Sequence, residues 1–516
     1  MSILFRCDSS SKIGSGHLYR SINLAKALRK YVNNIYFICA DLDGNLIYKF
    51  SNEFKFYKIE NSIQKDILSI NFKFSEIEDA TNSFQIISDY EREIPDWIIV
   101  DHYSIGINWQ NEFNKLVDIQ TNFNIKKSKY LFIDDIADRE LNADILVNPS
   151  FYGFKVHNPY LFLSNKPRKI LLGPHYSILN SEYYEKKLIK NKIGSKKKIV
   201  IYFGATNLYN IYNIFSEIII NDYFKDFDID YILPDVLKNN LEIRNNVSGH
   251  SNIKLSYNLP SLKSALSNAD YAIGSGGTTT WERLILNIPT LVITLASNQI
   301  TVSKNLHEHN FLVNLTDYKS MNKELITEKI KKFFELPYKL RNPNLIIDEY
   351  GTKRVVGAIL KPQLPLKVRE IIEEDKFLLW RWANDYFVRI NSINQNFITI
   401  EDHMNWFYKN LNNKNQLHLI INDNLNIPIG QCRFDNENDQ FKVSISIDSA
   451  FRNKKLSIDI LDISISYFKK QYPNSTKLFA LVKKNNISSN KLFKKYGFKL
   501  KKSESSKELN IYLLNI

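Results

Sequence analysis

Phe5-Arg6-Cys7-Asp8-Ser9-Ser10-Ser11-Lys12-Ile13-Gly14-Ser15-Gly16-His17 gathers residue types able to do chemistry. Residues 3–5 read as a strand and a polar turn follows. Leu18, Ile22, Leu24, Ala25 and Leu28 then recur at helical spacing. A glycine loop between a first strand and a first helix is where α/β sheets bind phosphorylated ligands. This loop also delivers His17 to a helix N-terminus. That position disfavours the imidazolium and predicts a neutral imidazole able to act as a base. Two readings stand: a functional loop, or a structural glycine turn with an incidental histidine.

A second glycine loop runs from Gly274 to Thr280. Small residues let backbone amides approach a diphosphate, and Thr278, Thr279 and Thr280 add hydroxyls. Glu282 lies one helical turn further on, where a carboxylate can accept both hydroxyls of a ribose. The alternative is a tight turn before a capped helix. No Walker lysine follows, which excludes a P-loop for triphosphate hydrolysis. Asp101-His102-Tyr103 and Asp134-Asp135 each follow a strand-like run. Asp101 could hold sugar hydroxyls, bind a metal, orient His17 or cap the next helix. Asp134-Asp135 reads as helix capping and cleft electrostatics. No histidine is spaced to complete a metal site, so none is expected. His307 and His309 point to different helix faces and read as surface residues.

These loops need elements to hold them. Short apolar runs at 3–5, 35–39, 97–100, 130–133, 145–147 and 170–172 alternate with helical patterns. A second series has strands at 198–204, 229–233 and 253–255, one from 271 up to the Gly274 loop, and one at 291–295. Both imply doubly wound parallel sheets, that is, two Rossmann-like lobes at 1–180 and 181–360. Lys361-Pro362-Gln363-Leu364-Pro365-Leu366 reads as a stiff linker. From 367 to 516 the pattern becomes α+β. Helices are expected at 374–384, 401–411, 456–472 and 486–496, and strands at 417–421, 427–434, 441–447 and 477–482.

The 516 residues are too many for one core at about 150 per domain. No apolar run nears the roughly 18 residues of a membrane span, and no signal peptide is evident. Three scattered cysteines fit a reducing cytoplasm. The net charge of +14 comes from lysines read as scattered. Anionic nucleotide ligands account for it more simply than nucleic acid.

Taken together, residues 1–356 resemble the UDP-2,4-diacetamido-2,4,6-trideoxy-β-L-altropyranose hydrolases of pseudaminic acid synthesis. The residues that carry this are Arg6-x-Asp8, Ile13-Gly14-x-Gly16-His17, Arg20, Asp101-His102-Tyr103, Asp134-Asp135, Gly173-x-x-Tyr176, Gly276 to Arg283, Asn298-Gln299 and Gly351-x-x-Arg354. The resemblance implies a GT-B-like pair of lobes and metal-free loss of UDP by water attack, with His17 as base. It implies substrate contacts from Arg6, Asp8, Gly14, Gly16, Arg20, Asp101, His102, Tyr103 and Tyr176. Gly276, Gly277, Thr278 and Glu282 would hold UDP, and Asn298 and Gln299 would add substrate contacts. Gly204-Ala205-Thr206-Asn207 and Asn180 depart from the family pattern. A glycosyltransferase with the same nucleotide site is the rival.

Residues from 367 resemble GNAT N-acetyltransferases, through Asn486-Ile487-Ser488-Ser489, Phe493 and Tyr496-Gly497-Phe498. Arg381-Trp382-x-Asn384, His403 to Trp406 and Gly430-Gln431-x-Arg433-Phe434 resemble the sugar-nucleotide members that act just before the hydrolase. The resemblance implies acetyl-CoA held by Arg452, Lys455, Ser457, Asn486 and Ser489. A family glycine is replaced by Lys455, and the usual acid tyrosine by Phe493. The unit reads either as an acetyltransferase of a UDP-4-amino sugar or as a binding module for the hydrolase.

Overall fold

The computed structural model describes residues 1–60, 75–121, 127–154, 158–184, 196–204, 209–257, 259–315, 322–335, 340–413, 415–438, 440–502 and 505–516. Most of the lysine-rich stretch 186–198, and 205–207 of the departing glycine motif, lie outside them. The chain divides into two compact units, Met1–Thr352 and Lys353–Ile516.

The first unit holds two parallel sheets. One runs Lys55–Ile59, Asn34–Ala40, Ser2–Cys7, Trp97–Asp101, Lys129–Ile133, Ile145–Asn148, Lys169–Leu172. The other runs Ile253–Tyr257, Phe227–Leu233, Lys197–Tyr202, Tyr271–Ser275, Thr290–Ile293, Val313–Leu315. Each order starts 3-2-1-4-5-6, the doubly wound order, in which the strand sequence reverses beside the first strand. His17 follows the first strand of its sheet and Asp101 ends the fourth. Gly276 follows the fourth strand of the other sheet. The glycine loops therefore sit where the topology opens a crevice. Both sheets are covered on two faces, so their central strands are continuous apolar runs. Ser2–Cys7 is buried along its whole length.

The second unit is a mixed sheet in the order Lys367–Glu370, Gln416–Asn422, Pro428–Glu437, Gln440–Ile447, Lys477–Lys483, Leu509–Asn515, Lys499–Leu500. Helix Ser457–Gln471 buries Ile460, Leu461, Ile465 and Phe468. The contact boundary falls inside helix Gly351–Ile359, ahead of the expected linker, because the helix packs into the second unit from Lys353 onward.

Gly274 is the penultimate residue of strand Tyr271–Ser275, where a Cβ would collide with the Tyr202 carbonyl and the Arg283 guanidinium. Backbone cannot give way there, so Gly274→Ala should destabilise the first unit by about 1–3 kcal/mol, read as a lower urea midpoint. An unchanged midpoint would contradict the packing.

Candidate functional site

The first loop is shaped by its own hydrogen bonds. Ser10 and Gly14 exchange backbone bonds (3.3 and 2.9 Å), and Ser10 Oγ accepts from the Lys12 and Ile13 amides. Gly14 closes the turn at φ +83°, a conformation suited to glycine. Helix Gly16–Leu28 then begins, with His17 as its second residue. His17 Nδ1 lies 2.6 Å from Asp101 Oδ1. Arg20, one turn on, grips the same carboxylate through Nε (2.8 Å) and Nη2 (2.6 Å). Burial alone would raise the Asp101 carboxyl, but Arg20 and His17 outweigh it and hold it at about 2. An ionised carboxylate only accepts, so the His17 proton belongs on Nδ1. Nε2 then presents a lone pair and has no partner among the described residues. His17 is 8% exposed and meets the Tyr103 ring edge-on at 4.4 Å.

A second buried network lies behind it. Arg6 has no exposed surface; it donates to Asp79 and to Asp8. Asp8 also accepts the Ala40 amide (2.8 Å) and pairs with His102 Nε2 (3.2 Å). Burial opposes its ionisation, yet Arg6 and His102 hold the Asp8 carboxyl well below the usual range. Trp109 Nε1 donates to Asp79 (2.8 Å). Several of the expected substrate contacts also hold the fold. Arg6, Asp8 and Arg20 are engaged in buried ion pairs, and Tyr176 is buried in the turn Pro174–Tyr176. Asp79, on helix Glu76–Ile86, carries no sequence motif and was reachable only through the fold. Asp134 caps no helix; it ties the following loop through the Ala137 amide, Arg139 and the Tyr160 hydroxyl.

The second glycine loop is tight for reasons of packing. A Cβ at Gly276 would strike Ser303, and its amide already donates to Gln299 Oε1 (3.2 Å). Gln299 accepts the Leu295 amide as well, so it clamps the loop. Thr280 Oγ1 donates to the Ser275 carbonyl and Thr279 Oγ1 accepts from Arg283. Of the three threonines, Thr278 alone keeps a hydroxyl without a partner among the described residues. Its Oγ1 lies 3.4 Å from where a Gly16 Cβ would sit, so the two loops face each other. Asn298 Nδ2 donates to the Tyr103 hydroxyl (3.0 Å) across the same gap. Glu282 is half-buried beside Tyr183, and burial pushes its carboxyl up to about 7.

In the second unit, strands Gln440–Ile447 and Lys477–Lys483 are parallel but pair only at Phe441↔Leu478 and Lys442↔Phe479. The unpaired remainder leaves backbone groups for an extended ligand. The loop after Ile447 carries two residues in the left-handed region, Asn453 (φ 63°) and Lys455 (φ 62°). Lys455 thus holds the conformation a glycine would adopt freely, at a cost of roughly 1–2 kcal/mol. Lys455 is exposed and Ser457 opens helix Ser457–Gln471. The other expected contacts are engaged internally. Arg452 donates to the Ile447 carbonyl (2.9 Å) and to Asp385 (2.7 Å), and Asn486 caps helix Ile487–Tyr496 by accepting the Ser489 amide (3.1 Å). Phe493 is buried against Phe498 and Tyr512. Residues 452–516 hold 15 basic and 4 acidic side chains, so the positive charge gathers at this end of the chain instead of being scattered.

Residues 366–499 match the acetyltransferase (GNAT) domain family. The C-terminal unit carries a GNAT domain. The chain joins it to a region similar to a UDP-diacetamido-trideoxy-altropyranose hydrolase. That enzyme, from Campylobacter jejuni, is 24% identical over 58% of this chain and 93% of its own length. An uncharacterized Methanocaldococcus jannaschii protein is 25% identical over 100% of both chains. Among solved structures, spermidine N-acetyltransferase from Vibrio cholerae, with CoA and spermine, shares 12% identity over 29% of this chain and 95% of that chain, with a TM-score of 0.28. Among the described residues no helix is long and apolar enough to cross a membrane, and no cluster of three or more His, Cys, Asp or Glu could hold a metal ion.

Two buried histidines of the GNAT domain titrate far from 6.5. Burial pushes His403 down to about 4. Burial, then Arg433 and His403, push His418 down to about 3. The unfolded chain takes these protons near 6.5 and the folded unit refuses them, so stability is full above 6.5 and falls as pH drops toward 4. His403→Gln, which keeps a donor for the Lys376 carbonyl, should flatten the fall in melting temperature over that window. Parallel wild-type and variant curves would contradict the assignment.

Proposed function

We propose that the chain is a bifunctional enzyme of nonulosonic, pseudaminic-type acid synthesis. The first unit, read as a GT-B-like pair of lobes, hydrolyses a UDP-2,4-diacetamido-2,4,6-trideoxy-hexose to UDP and the free sugar. One observation carries this reading: His17 presents a bare Nε2 at a crevice whose opposite wall is Thr278. Water attacks the anomeric carbon and its proton passes to His17 Nε2. The bond from that carbon to the UDP oxygen breaks, and the electron pair leaves on the diphosphate. Asp101 holds the Nδ1 proton and stabilises the imidazolium that forms. Amides at 277–279, at the start of helix Thr279–Ile285, and the Thr278 hydroxyl are placed to receive the departing charge. Glu282, pushed up to about 7, lies beyond them as a ribose partner.

The GNAT domain transfers the acetyl group of acetyl-CoA to the 4-amino group of the UDP-sugar precursor. The amine attacks the thioester carbonyl and loses a proton, and the carbon–sulfur bond breaks to release the thiol. The parted strands accept the pantetheine arm. Lys455, Ser457 and the first-turn amides of helix Ser457–Gln471 face the diphosphate. The basic character of 452–516 suits this polyanionic co-substrate. The place of action is proposed to be the cytoplasm, with no nucleic acid partner.

Incubation with the UDP-4-amino sugar and acetyl-CoA, followed by mass spectrometry and a thiol assay, tests both halves. His17→Ala should slow UDP release by about 10²–10⁴-fold with acetylation intact. UDP release at the wild-type rate would remove His17 as the base, and absent thiol release would remove the acetyltransferase.

A further inference from the structure

The loop at 448–456 leads into the diphosphate-binding turn, and it is held from outside the family-matched segment, by helix Gly351–Ile359. Arg354 has no exposed surface and pairs with Asp448 Oδ2 at 3.3 Å. The same Asp448 accepts Trp382 Nε1 (2.7 Å) and the Ala450 amide (2.9 Å), which fixes the turn Ser449–Phe451. Phe451 packs on Gly357, where a Cβ would collide with its ring edge. Lys454 Nζ donates to the carbonyls of Ala358 (2.9 Å) and Leu360, at the helix C-terminus. A cation there satisfies orphan carbonyls and complements the helix dipole. The three grips fall at 448, 451 and 454, the last of them between Asn453 and Lys455, the two left-handed residues of the loop.

We propose that Arg354, Gly357 and Lys454 are positioning residues for acetyl-CoA. They hold the loop in its ligand-ready shape without touching the ligand. Glycines would let the loop adopt that shape on demand; here Lys455 is forced into it, and the helix provides the constraint. The ordering is thus complete before binding, which favours affinity. This inference rests on the acetyl-CoA reading of the C-terminal unit.

The test uses the full chain. Acetyl-CoA is titrated calorimetrically, and its KM and kcat are measured with the UDP-4-amino sugar as acceptor. Gly357→Ala and Lys454→Met should raise the acetyl-CoA Kd and KM roughly tenfold, with kcat, acceptor KM and UDP release nearly unchanged. Lys454→Arg keeps donors at the helix end and should restore most of the affinity. Simple unfolding would instead lower the binding stoichiometry at constant Kd. Wild-type binding that both variants match within about twofold overturns this inference alone. A wild-type chain that binds no acetyl-CoA overturns the acetyltransferase reading and this one with it.

Discussion

A buried carboxylate must be paired, and Asp101 is paired twice. It ends strand Trp97–Asp101, opposite Cys7 in the parallel ladder, so the backbone decides where its charge sits. Arg20 grips both carboxylate oxygens and His17 shares Oδ1 with it. Losing that charge would leave the buried Arg20 guanidinium only its longer contact to Asp135 (3.4 Å), and breaking a buried pair costs up to about 3–5 kcal/mol. The geometry of His17 is therefore tied to the integrity of the sheet. The network of Arg6, Asp8, Asp79 and His102 does the same for the neighbouring strand end. Both guanidiniums are committed to carboxylates, while Tyr103 reaches Asn298 across the crevice beside His17.

Much of this was legible in the sequence because it depends on local chemistry. The alternation of apolar runs and helical patterns marks the sheets, and Gly14-Ser15-Gly16-His17 marks the loop. Strand partners far apart in sequence were not legible. Lys55–Ile59 and Leu509–Asn515 carry weaker apolar signals, and only neighbouring strands make them strands. Nor does an arginine announce whether it faces a ligand or a carboxylate. Arg6 and Arg20 read as substrate contacts, and their pairing with Asp79 and Asp101 emerges only in the fold. Gly274 and Gly276 show the same limit. Their smallness was visible, but what presses against them is protein.

In the C-terminal unit the departures from the family pattern were visible as letters, while their structural meaning was not. Lys455 replaces a glycine yet keeps a glycine's backbone conformation. Asn486, expected as a ligand contact, also caps a helix, which its letter alone does not tell. Phe493 belongs to a packed aromatic group, which leaves no phenol at that position.

Helix Gly351–Ile359 bears on how such a chain can be taken apart. The family match begins at 366, while the contacts of the unit begin at Lys353. A cut at the family border would strip Phe451 of its cover and leave Asp448 without Arg354. Segment 366–499 thus leans on a helix that precedes it in the chain, and its natural border as a folded unit lies at Lys353.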